Sequence, residues 1–147
     1  MVDLKVLFIC EHNSARSQMA EAFLNSIYSD SYTAYSAGVD PGSLNPVVVK
    51  VMGECGIDIS QKQPKSIEEF LKMDLDCVVT VCDQARETCP FFPGASIYIH
   101  KGFIDPSCIT GSQEYVEERV RIIRDEIREW IIQTFDPPHF QEKYGKG

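Results

Sequence analysis

Short runs of apolar residues recur along the chain and predict four buried β-strands. The first run, at 4–10, reads Leu-Lys-Val-Leu-Phe-Ile-Cys, and three further runs lie at 32–37, 76–82 and 96–100. Largely apolar runs of this length, with β-branched and aromatic members, are typical of parallel strands that are covered on both faces. We therefore expect a parallel sheet that lies inside the molecule.

The stretches between these runs carry apolar residues at helical spacing. Positions 19–27, 47–55 and 116–131 each place their apolar side chains on one face of a helix, and 66–73 is a short acidic helical pattern. The longest of these stretches repeats Val or Ile every three or four residues, which predicts a long amphipathic helix. The segment after residue 135 is polar, and we expect it to fray.

Strands that alternate with helices predict an α/β fold, a three-layer sandwich with a four-stranded parallel sheet flanked by helices. No internal repeat or linker divides the chain, so we expect one catalytic domain over residues 1–135 and a polar C-terminal tail over 136–147. Ligands of such sheets bind at the carboxyl ends of the strands. Reactive residues at those ends are therefore the first candidates for a functional site.

The charge balance limits what the protein can bind. Its 147 residues include 14 Lys and Arg against 22 Asp and Glu, which gives a net charge of −8. An acidic chain repels phosphate backbones and anionic lipids, so we expect no nucleic-acid partner and no membrane association. No apolar run approaches the roughly 18 residues of a membrane span, and the N-terminus lacks the features of a secretory signal. We expect a cytoplasmic protein whose six cysteines are reduced thiols.

The first strand ends in a segment with the composition of an anion-binding loop, Cys10-Glu11-His12-Asn13-Ser14-Ala15-Arg16-Ser17. A loop between a strand and a helix directs backbone N–H groups into one hollow, where the helix dipole adds positive potential. We predict that residues 11–17 bind a tetrahedral oxyanion, with Arg16 as a bidentate partner and Cys10 as a nucleophilic thiolate. Ser17 can donate to that thiolate, and Asn13 tolerates a left-handed turn. A buried strand cysteine followed by a surface charge is the alternative, which the strand before and the helix after disfavour.

The same segment resembles a known family. Cys-x5-Arg-Ser at a first strand–helix junction resembles the loop of low-molecular-weight protein tyrosine phosphatases, and the stretch 10–21 is closer still to thioredoxin-coupled arsenate reductases. Ser36-Ala37-Gly38 and Ile57-Asp58-Ile59-Ser60 also resemble segments of that family, and the resemblance runs from residue 4 to residue 131. It implies the low-molecular-weight phosphatase-like fold, and it makes Asp105, which follows the fourth strand, the general acid.

Two further cysteines, Cys82 and Cys89, follow the third predicted strand. A phosphatase needs one cysteine only, so these two bear on the type of reaction. Cys82 ends a strand expected beside the first, from which it can reach an adduct on Cys10. Seven helical residues rise about 10.5 Å, whereas the Cα atoms of a disulfide lie within roughly 7 Å, so a helical turn between the two must unwind before they pair. Burial or a metal site is the alternative, but the close cysteine pairs of a zinc site are missing.

In the arsenate reductases that the chain resembles, such a pair forms a disulfide relay. The resemblance implies that the Cys10 thiolate attacks arsenate bound by the loop and Arg16, while Asp105 protonates the departing oxygen. Cys82 then attacks Cys10 and releases arsenite, Cys89 attacks Cys82, and thioredoxin reduces the Cys82–Cys89 disulfide. We therefore expect a monomeric, thioredoxin-dependent arsenate reductase that needs no cofactor and serves arsenical resistance and detoxification. Phosphate and sulfate are expected to mimic the substrate.

Two other functions remain open. One is a low-molecular-weight protein tyrosine phosphatase that hydrolyses phosphate monoesters through a Cys10 phosphocysteine, for which Cys82 and Cys89 are incidental. The other is a non-catalytic phosphate sensor or carrier that holds the phosphocysteine and passes it on.

A metal site is not expected. Some related arsenate reductases bind potassium beside the loop, and Asn13, Glu21 and Ser36 match three of its four ligands. Where the resemblance puts the fourth ligand, an Asp, this chain has Lys65, whose ammonium can take the place of the cation.

The remaining cysteines and histidines carry little signal. Cys55, on a helix face, and Cys77, in a strand, are expected to be core residues, because free cysteine is among the most buried residue types. The sequence indicates no role for Cys108 or His100.

Overall fold

A computed structural model describes residues 3–145. Four strands form one parallel sheet in the order β2-β1-β3-β4, with β1 at Leu4–Cys10, β2 at Tyr32–Gly38, β3 at Cys77–Thr80 and β4 at Ile97–His100. The helices are α1 at Arg16–Ile27, α2 at Pro46–Glu54, α3 at Asp83–Thr88, α4 at Gln113–Phe135 and α5 at Pro137–Tyr144. Short 3-10 turns lie at Ile67–Phe70 and Pro106–Cys108. The predicted α/β fold with four parallel strands flanked by helices is confirmed.

The two central strands, β1 and β3, carry the most apolar sequences of the sheet. All residues from Val6 to Cys10 are buried, and so are all four residues of β3. Strands covered on both faces need apolar side chains at consecutive positions, which explains the runs in the sequence. Ile9 pairs with Thr80 across these two strands, so the residues that follow each of them meet at the same edge of the sheet.

Helix α4 supplies the longest apolar stripe of the core. Its buried apolar residues recur at helical spacing and are Val120, Ile123, Ile127, Ile131 and Phe135. The helix begins before the predicted residue 116 because Ser112 caps it, accepting a hydrogen bond from the Tyr115 N–H at 3.1 Å, and it ends at Phe135 instead of residue 131. None of the helices between residues 3 and 145 combines the length and the apolar character that crossing a membrane requires.

Two predicted elements are shorter in the structure. The acidic pattern at 66–73 forms only the 3-10 turn Ile67–Phe70, although the expected capping box of Ser66 and Glu69 is present. The strand expected at 76–82 ends its pairing at Thr80, because Cys82 already serves as the N-cap of α3. The chain therefore turns into α3 directly at the edge where the first strand ends.

The segment after Phe135 does not fray, contrary to the expectation for a polar tail. Asp136 caps α5 by accepting from the His139 N–H at 3.2 Å. Phe140 is 2% exposed, stacks on Phe135 with ring centroids 5.4 Å apart and meets the edge of Tyr32 at 5.5 Å. Phe140 therefore packs this helix onto the core, and the polar composition of the segment gives no sign of that contact.

We expect Phe140→Ala to lower the free energy of unfolding by about 3 kcal/mol, since it removes a fully buried aromatic ring. The matched control is His139→Ala, an exposed position in the same helix, where we expect a change within about 0.5 kcal/mol. Urea unfolding followed by circular dichroism measures both. Equal stability of the two variants would contradict the packing described for α5.

Candidate active site

The loop between β1 and α1 turns its carbonyl groups outward. The Glu11, His12 and Ser14 carbonyls accept hydrogen bonds from the backbone N–H groups of Asp40, Gly42 and Asn45 at 2.7, 2.9 and 2.9 Å. In a trans peptide the N–H points opposite to the carbonyl, and no peptide bond among the described residues is cis. The N–H groups of residues 12, 13 and 15 therefore point inward, away from the 40–45 segment, and that of Asn13 reaches the Cys10 sulfur at 3.2 Å. This arrangement is compatible with the predicted oxyanion nest.

Gly38, at the end of β2, allows this loop to pack against the sheet. A Cβ atom at Gly38 would lie 2.8–2.9 Å from backbone atoms of Glu11, His12 and Asn13. Its own N–H donates to the Lys65 carbonyl at 2.7 Å. The absence of a side chain here is therefore a condition for the shape of the loop.

The Cys10 sulfur is buried and surrounded by hydrogen-bond partners. The Asn13 N–H donates to Sγ at 3.2 Å, and the Ser17 hydroxyl lies 2.8 Å from Sγ. Asn13 Nδ2 donates to the Ser17 oxygen at 2.7 Å, which orients the hydroxyl hydrogen toward the sulfur. Donors aimed at a sulfur atom stabilise its negatively charged form, so this geometry favours a thiolate nucleophile.

Asn13 holds the turn of the loop. Its φ of 54° lies in the left-handed region, which Asn tolerates better than most residues. Its side-chain oxygen accepts from the Lys65 N–H at 2.9 Å and from Gln18 Nε2 at 3.1 Å. Gln18, itself 1% exposed, also donates to the Asn13 carbonyl at 3.2 Å. These bonds compensate for the unfavourable backbone conformation and fix the direction of the inward N–H groups.

Arg16 and Asp105 face each other across the cleft beside this loop. Arg16 donates to the Phe103 carbonyl at 3.2 Å, and its guanidinium lies 3.4 Å from Asp105 Oδ2. Asp105 also caps the following 3-10 turn by accepting from the Ser107 N–H at 2.9 Å. The structure thus brings together the predicted anion-binding cation and the predicted general acid.

Cys82 opens onto the same cleft, which has a volume of about 510 Å³ and is lined also by Glu11, Arg16, Gln84 and Asp105. Its sulfur caps α3 by accepting from the Ala85 N–H at 3.4 Å. Burial raises the pKa of the Cys82 thiol, and the nearby Cys10 raises it further. The Ala85 N–H and Arg16 lower this pKa and partly offset the effect of burial. Two thiols therefore lie beside the loop that is predicted to bind an anion.

Cys89 lies at the other end of α3, outside this cleft. It is half-buried, burial raises its pKa, and it borders a separate hollow of about 500 Å³ lined by Arg86, Phe91, Tyr98 and His100. All six residues between Cys82 and Cys89 are helical. The predicted need for unwinding therefore applies to α3.

The other three cysteines divide into one buried and two exposed thiols. Cys77 is buried in β3 as expected. Cys55 is exposed, contrary to expectation, because it follows α2 as its C-cap instead of facing the core. Cys108 is exposed in the turn that Asp105 caps.

The ammonium group beside Glu21 belongs to Lys62 and not to Lys65. Lys62 Nζ lies 3.2 Å from Glu21 Oε2, while Ser36 Oγ donates to Glu21 Oε1 at 2.7 Å. The Lys65 side chain bonds the Gln63 carbonyl at 3.4 Å, and only its backbone N–H reaches the loop. Among residues 3–145, no group of three or more His, Cys, Asp or Glu side chains is arranged to hold a metal ion.

Comparison with known proteins assigns this arrangement to a family. The sequence profile of low molecular weight phosphotyrosine protein phosphatases matches residues 5–134. The chain belongs to this family.

Several proteins similar to this chain are named as arsenate reductases. The chain is 40% identical over 130 residues to one from Halalkalibacterium halodurans, covering 88% of this chain and 93% of the relative. A solved arsenate reductase in its phosphate-binding state superposes with a TM-score of 0.75 at 30% identity, covering 88% and 95% of the two chains. A thioredoxin-dependent arsenate reductase of Corynebacterium glutamicum matches at 28% identity and a TM-score of 0.62, over 90% of this chain and 64% of that one.

Several contacts of this phosphatase-family site were not predicted. Gln18 donates to Asn13 in the loop, and Lys62 lies beside Glu21 in α1. The type of a single polar residue does not indicate its partner. Thr80 gave a usable signal, since it is a hydroxyl within the apolar run of β3. Its partner is His100, with Oγ1 and Nδ1 2.8 Å apart.

We expect Gly38→Ala to lower the free energy of unfolding by about 2 kcal/mol, because the added Cβ forces the loop backbone to move. Gly53→Ala is the matched control, since a Cβ at Gly53 in α2 meets nothing within 4 Å. There we expect a gain of about 0.5–1 kcal/mol from helix propensity. Urea unfolding measures both, and a change of the same sign in the two variants would contradict the close approach at Gly38.

Proposed function

We propose that the protein reduces arsenate to arsenite through Cys10, Cys82 and Cys89, with thioredoxin as the reductant. The observation that carries this proposal is the second thiol, Cys82, in the cleft of the oxyanion loop. Hydrolysis of a phosphate ester does not require a second thiol. The arsenate reductases among the relatives, one of them thioredoxin-dependent, support the same reaction.

The first step binds the anion and forms a covalent adduct. The inward N–H groups of residues 12, 13 and 15 and the Arg16 guanidinium compensate the charge of arsenate inside an acidic protein. The Cys10 thiolate attacks arsenic, one As–O bond breaks, and Asp105 gives its proton to the oxygen that leaves as water. Because Asp105 lies 3.4 Å from the Arg16 guanidinium, an anion bound by that guanidinium has the carboxyl group close to its leaving oxygen.

The second step reduces arsenic. Cys82, once deprotonated, attacks the Cys10 sulfur, and the S–As bond breaks with its electron pair remaining on arsenic. Arsenite leaves, and the two sulfurs form a disulfide, so arsenic gains the two electrons that the thiols lose. Burial raises the pKa of Cys82, whereas Arg16 and the Ala85 N–H favour its thiolate, which is the form that attacks.

The third step moves the disulfide out of the cleft. The Cys89 thiolate attacks the Cys82 sulfur, and Cys10 leaves as a thiolate that is ready for another anion. The distance along α3 requires this helix to unwind before the new bond forms. A dithiol protein such as thioredoxin then supplies two electrons to the Cys82–Cys89 disulfide.

The test is arsenate-dependent NADPH oxidation coupled to thioredoxin and thioredoxin reductase. We expect turnover in the wild type, and a loss of more than about 100-fold in Cys82→Ser and in Cys89→Ser, because each removes a nucleophile of the relay. Cys55→Ser and Cys108→Ser, which change exposed thiols outside the relay, are matched controls and should keep the wild-type rate. Equal rates in all five proteins would contradict the relay.

A second candidate function is hydrolysis of phosphate monoesters. Cys10, Arg16 and Asp105 form the set that a phosphocysteine mechanism uses, and the family match supports this chemistry. A protein that hydrolyses p-nitrophenyl phosphate equally well in the wild type, Cys82→Ser and Cys89→Ser, and shows no arsenate turnover, would be a phosphatase with two incidental cysteines.

A further inference from the structure

Two consecutive hydrogen bonds connect the first residue of α3 to the sheet. His100, the last residue of β4, lies with Nδ1 2.8 Å from the hydroxyl of Thr80 in β3. Its Nε2 lies 3.0 Å from Oδ1 of Asp83, the first residue of α3. Thr80 is buried, so the imidazole is anchored from the interior of the sheet. The mechanism described above gives none of these three residues a role.

With a neutral imidazole, the chemistry of the three groups fixes the direction of both bonds. The Asp83 carboxylate can only accept, so the hydrogen of the neutral imidazole is on Nε2. Nδ1 is then an acceptor, and the Thr80 hydroxyl donates to it. Both ring nitrogens of His100 and the Thr80 hydroxyl then have a hydrogen-bond partner. These bonds connect β3, β4 and α3 at one point.

The same end of α3 is also held by the Cys82 cap, which the reaction weakens. The Cys82 sulfur caps the helix by accepting from the Ala85 N–H at 3.4 Å. Once Cys82 is bonded to Cys10, its sulfur is no longer a thiol or thiolate and is a poorer acceptor for this cap. A helix of six residues has little stability of its own. The disulfide and the bond from the Val81 N–H to the Ile9 carbonyl hold the residues before the helix. The bond from His100 to Asp83 is unchanged by this step and holds the first residue of the helix on the sheet.

We propose that His100 is a positioning residue of the thiol relay. Through Asp83 it holds the start of α3 on the sheet, and release of this bond accompanies the unwinding that lets Cys89 reach Cys82. The step it controls is the exchange in which the Cys89 thiolate bonds to Cys82 while the Cys10–Cys82 bond breaks and Cys10 leaves as a thiolate. This inference rests on the proposed function, because the exchange belongs to that relay.

The size of the effect follows from the exposure of Asp83. Its side chain is 86% exposed, so water competes for the bond and the contribution is that of a surface contact. We therefore expect loss of the bond to speed the exchange by about two- to fivefold. Attack of Cys82 on Cys10 should change by less than about twofold, since its sulfur still has the Ala85 N–H and the cleft around it.

Asp83→Ala and Asp83→Asn form the decisive pair of variants. Both remove a charge that interacts favourably with the helix N-terminus, but Asn keeps an oxygen that accepts from His100 Nε2. Glu87→Ala removes an exposed carboxylate from the same helix and controls for composition. His100→Ala removes the other partner, and the double variant with Asp83→Ala should equal either single variant, because the two residues share one bond.

The experiment mixes each reduced protein with one equivalent of arsenate, quenches with acid at successive times and identifies the disulfides by alkylation and mass spectrometry. Conversion of Cys10–Cys82 into Cys82–Cys89 should be two- to fivefold faster in Asp83→Ala and His100→Ala than in the wild type, Asp83→Asn and Glu87→Ala. Equal conversion in Asp83→Ala and Asp83→Asn overturns the inference. The inference is also overturned if the variants slow arsenite release and disulfide conversion to the same extent, because that result indicates a merely structural role.

Hydrogen exchange of the α3 amides, measured without arsenate, separates this inference from the proposed function. Faster hydrogen exchange in Asp83→Ala than in Asp83→Asn supports the role of the His100–Asp83 bond in holding α3. Equal hydrogen exchange in the two variants overturns it. If the wild type releases no arsenite, the proposed function fails and the role of His100 in the relay fails with it. If arsenite is released but the variants convert alike, only the inference about His100 fails.

Discussion

The left-handed turn at Asn13 is the constraint on which the rest of the site depends. It directs the N–H groups of the loop toward Cys10, places its own N–H at the sulfur and orients Ser17 through its side chain. The protein has a net charge of −8, so no long-range attraction brings an anion to this site. Short-range donors fixed in advance by Gln18, Lys65 and the β2–α2 segment must do so instead. Gly38 belongs to the same constraint, since any side chain there would displace the turn.

The position of α3 introduces a conflict between two needs of the proposed relay. Cys82 must be held beside Cys10 for its attack on the Cys10 adduct, and the capped start of α3 holds it there. Cys89 must then approach Cys82, which a formed helix prevents. A helix of six residues meets both needs, because caps and one tether keep it folded while little free energy opposes its unwinding. This chemistry therefore depends on an element whose stability is marginal.

Much of the fold and of the site could be predicted from the sequence. The apolar runs predicted the four strands because central parallel strands must be apolar at consecutive positions. The Cys10 loop and the approach of Cys82 followed from the carboxyl ends of adjacent strands.

The contacts that could not be predicted depend on which side chain the folded backbone brings to a particular partner. Lys62 and Lys65 differ by three positions in an irregular segment, and only the path of the backbone decides which of them reaches Glu21. Phe140 lies in a polar context, so its burial against Phe135 could not be deduced from local pattern. The contact of His100 with Asp83 joins residues seventeen positions apart on different elements, and periodicity carries no information about such pairs.

The most direct test of the central claim counts thiols and arsenite in a single turnover. The fully reduced protein, with its six free cysteines, is mixed with excess arsenate and no reductant. A relay through Cys10, Cys82 and Cys89 predicts one arsenite released per chain and a fall from six titratable thiols to four, after which the reaction stops. Six thiols remaining and no arsenite would contradict it.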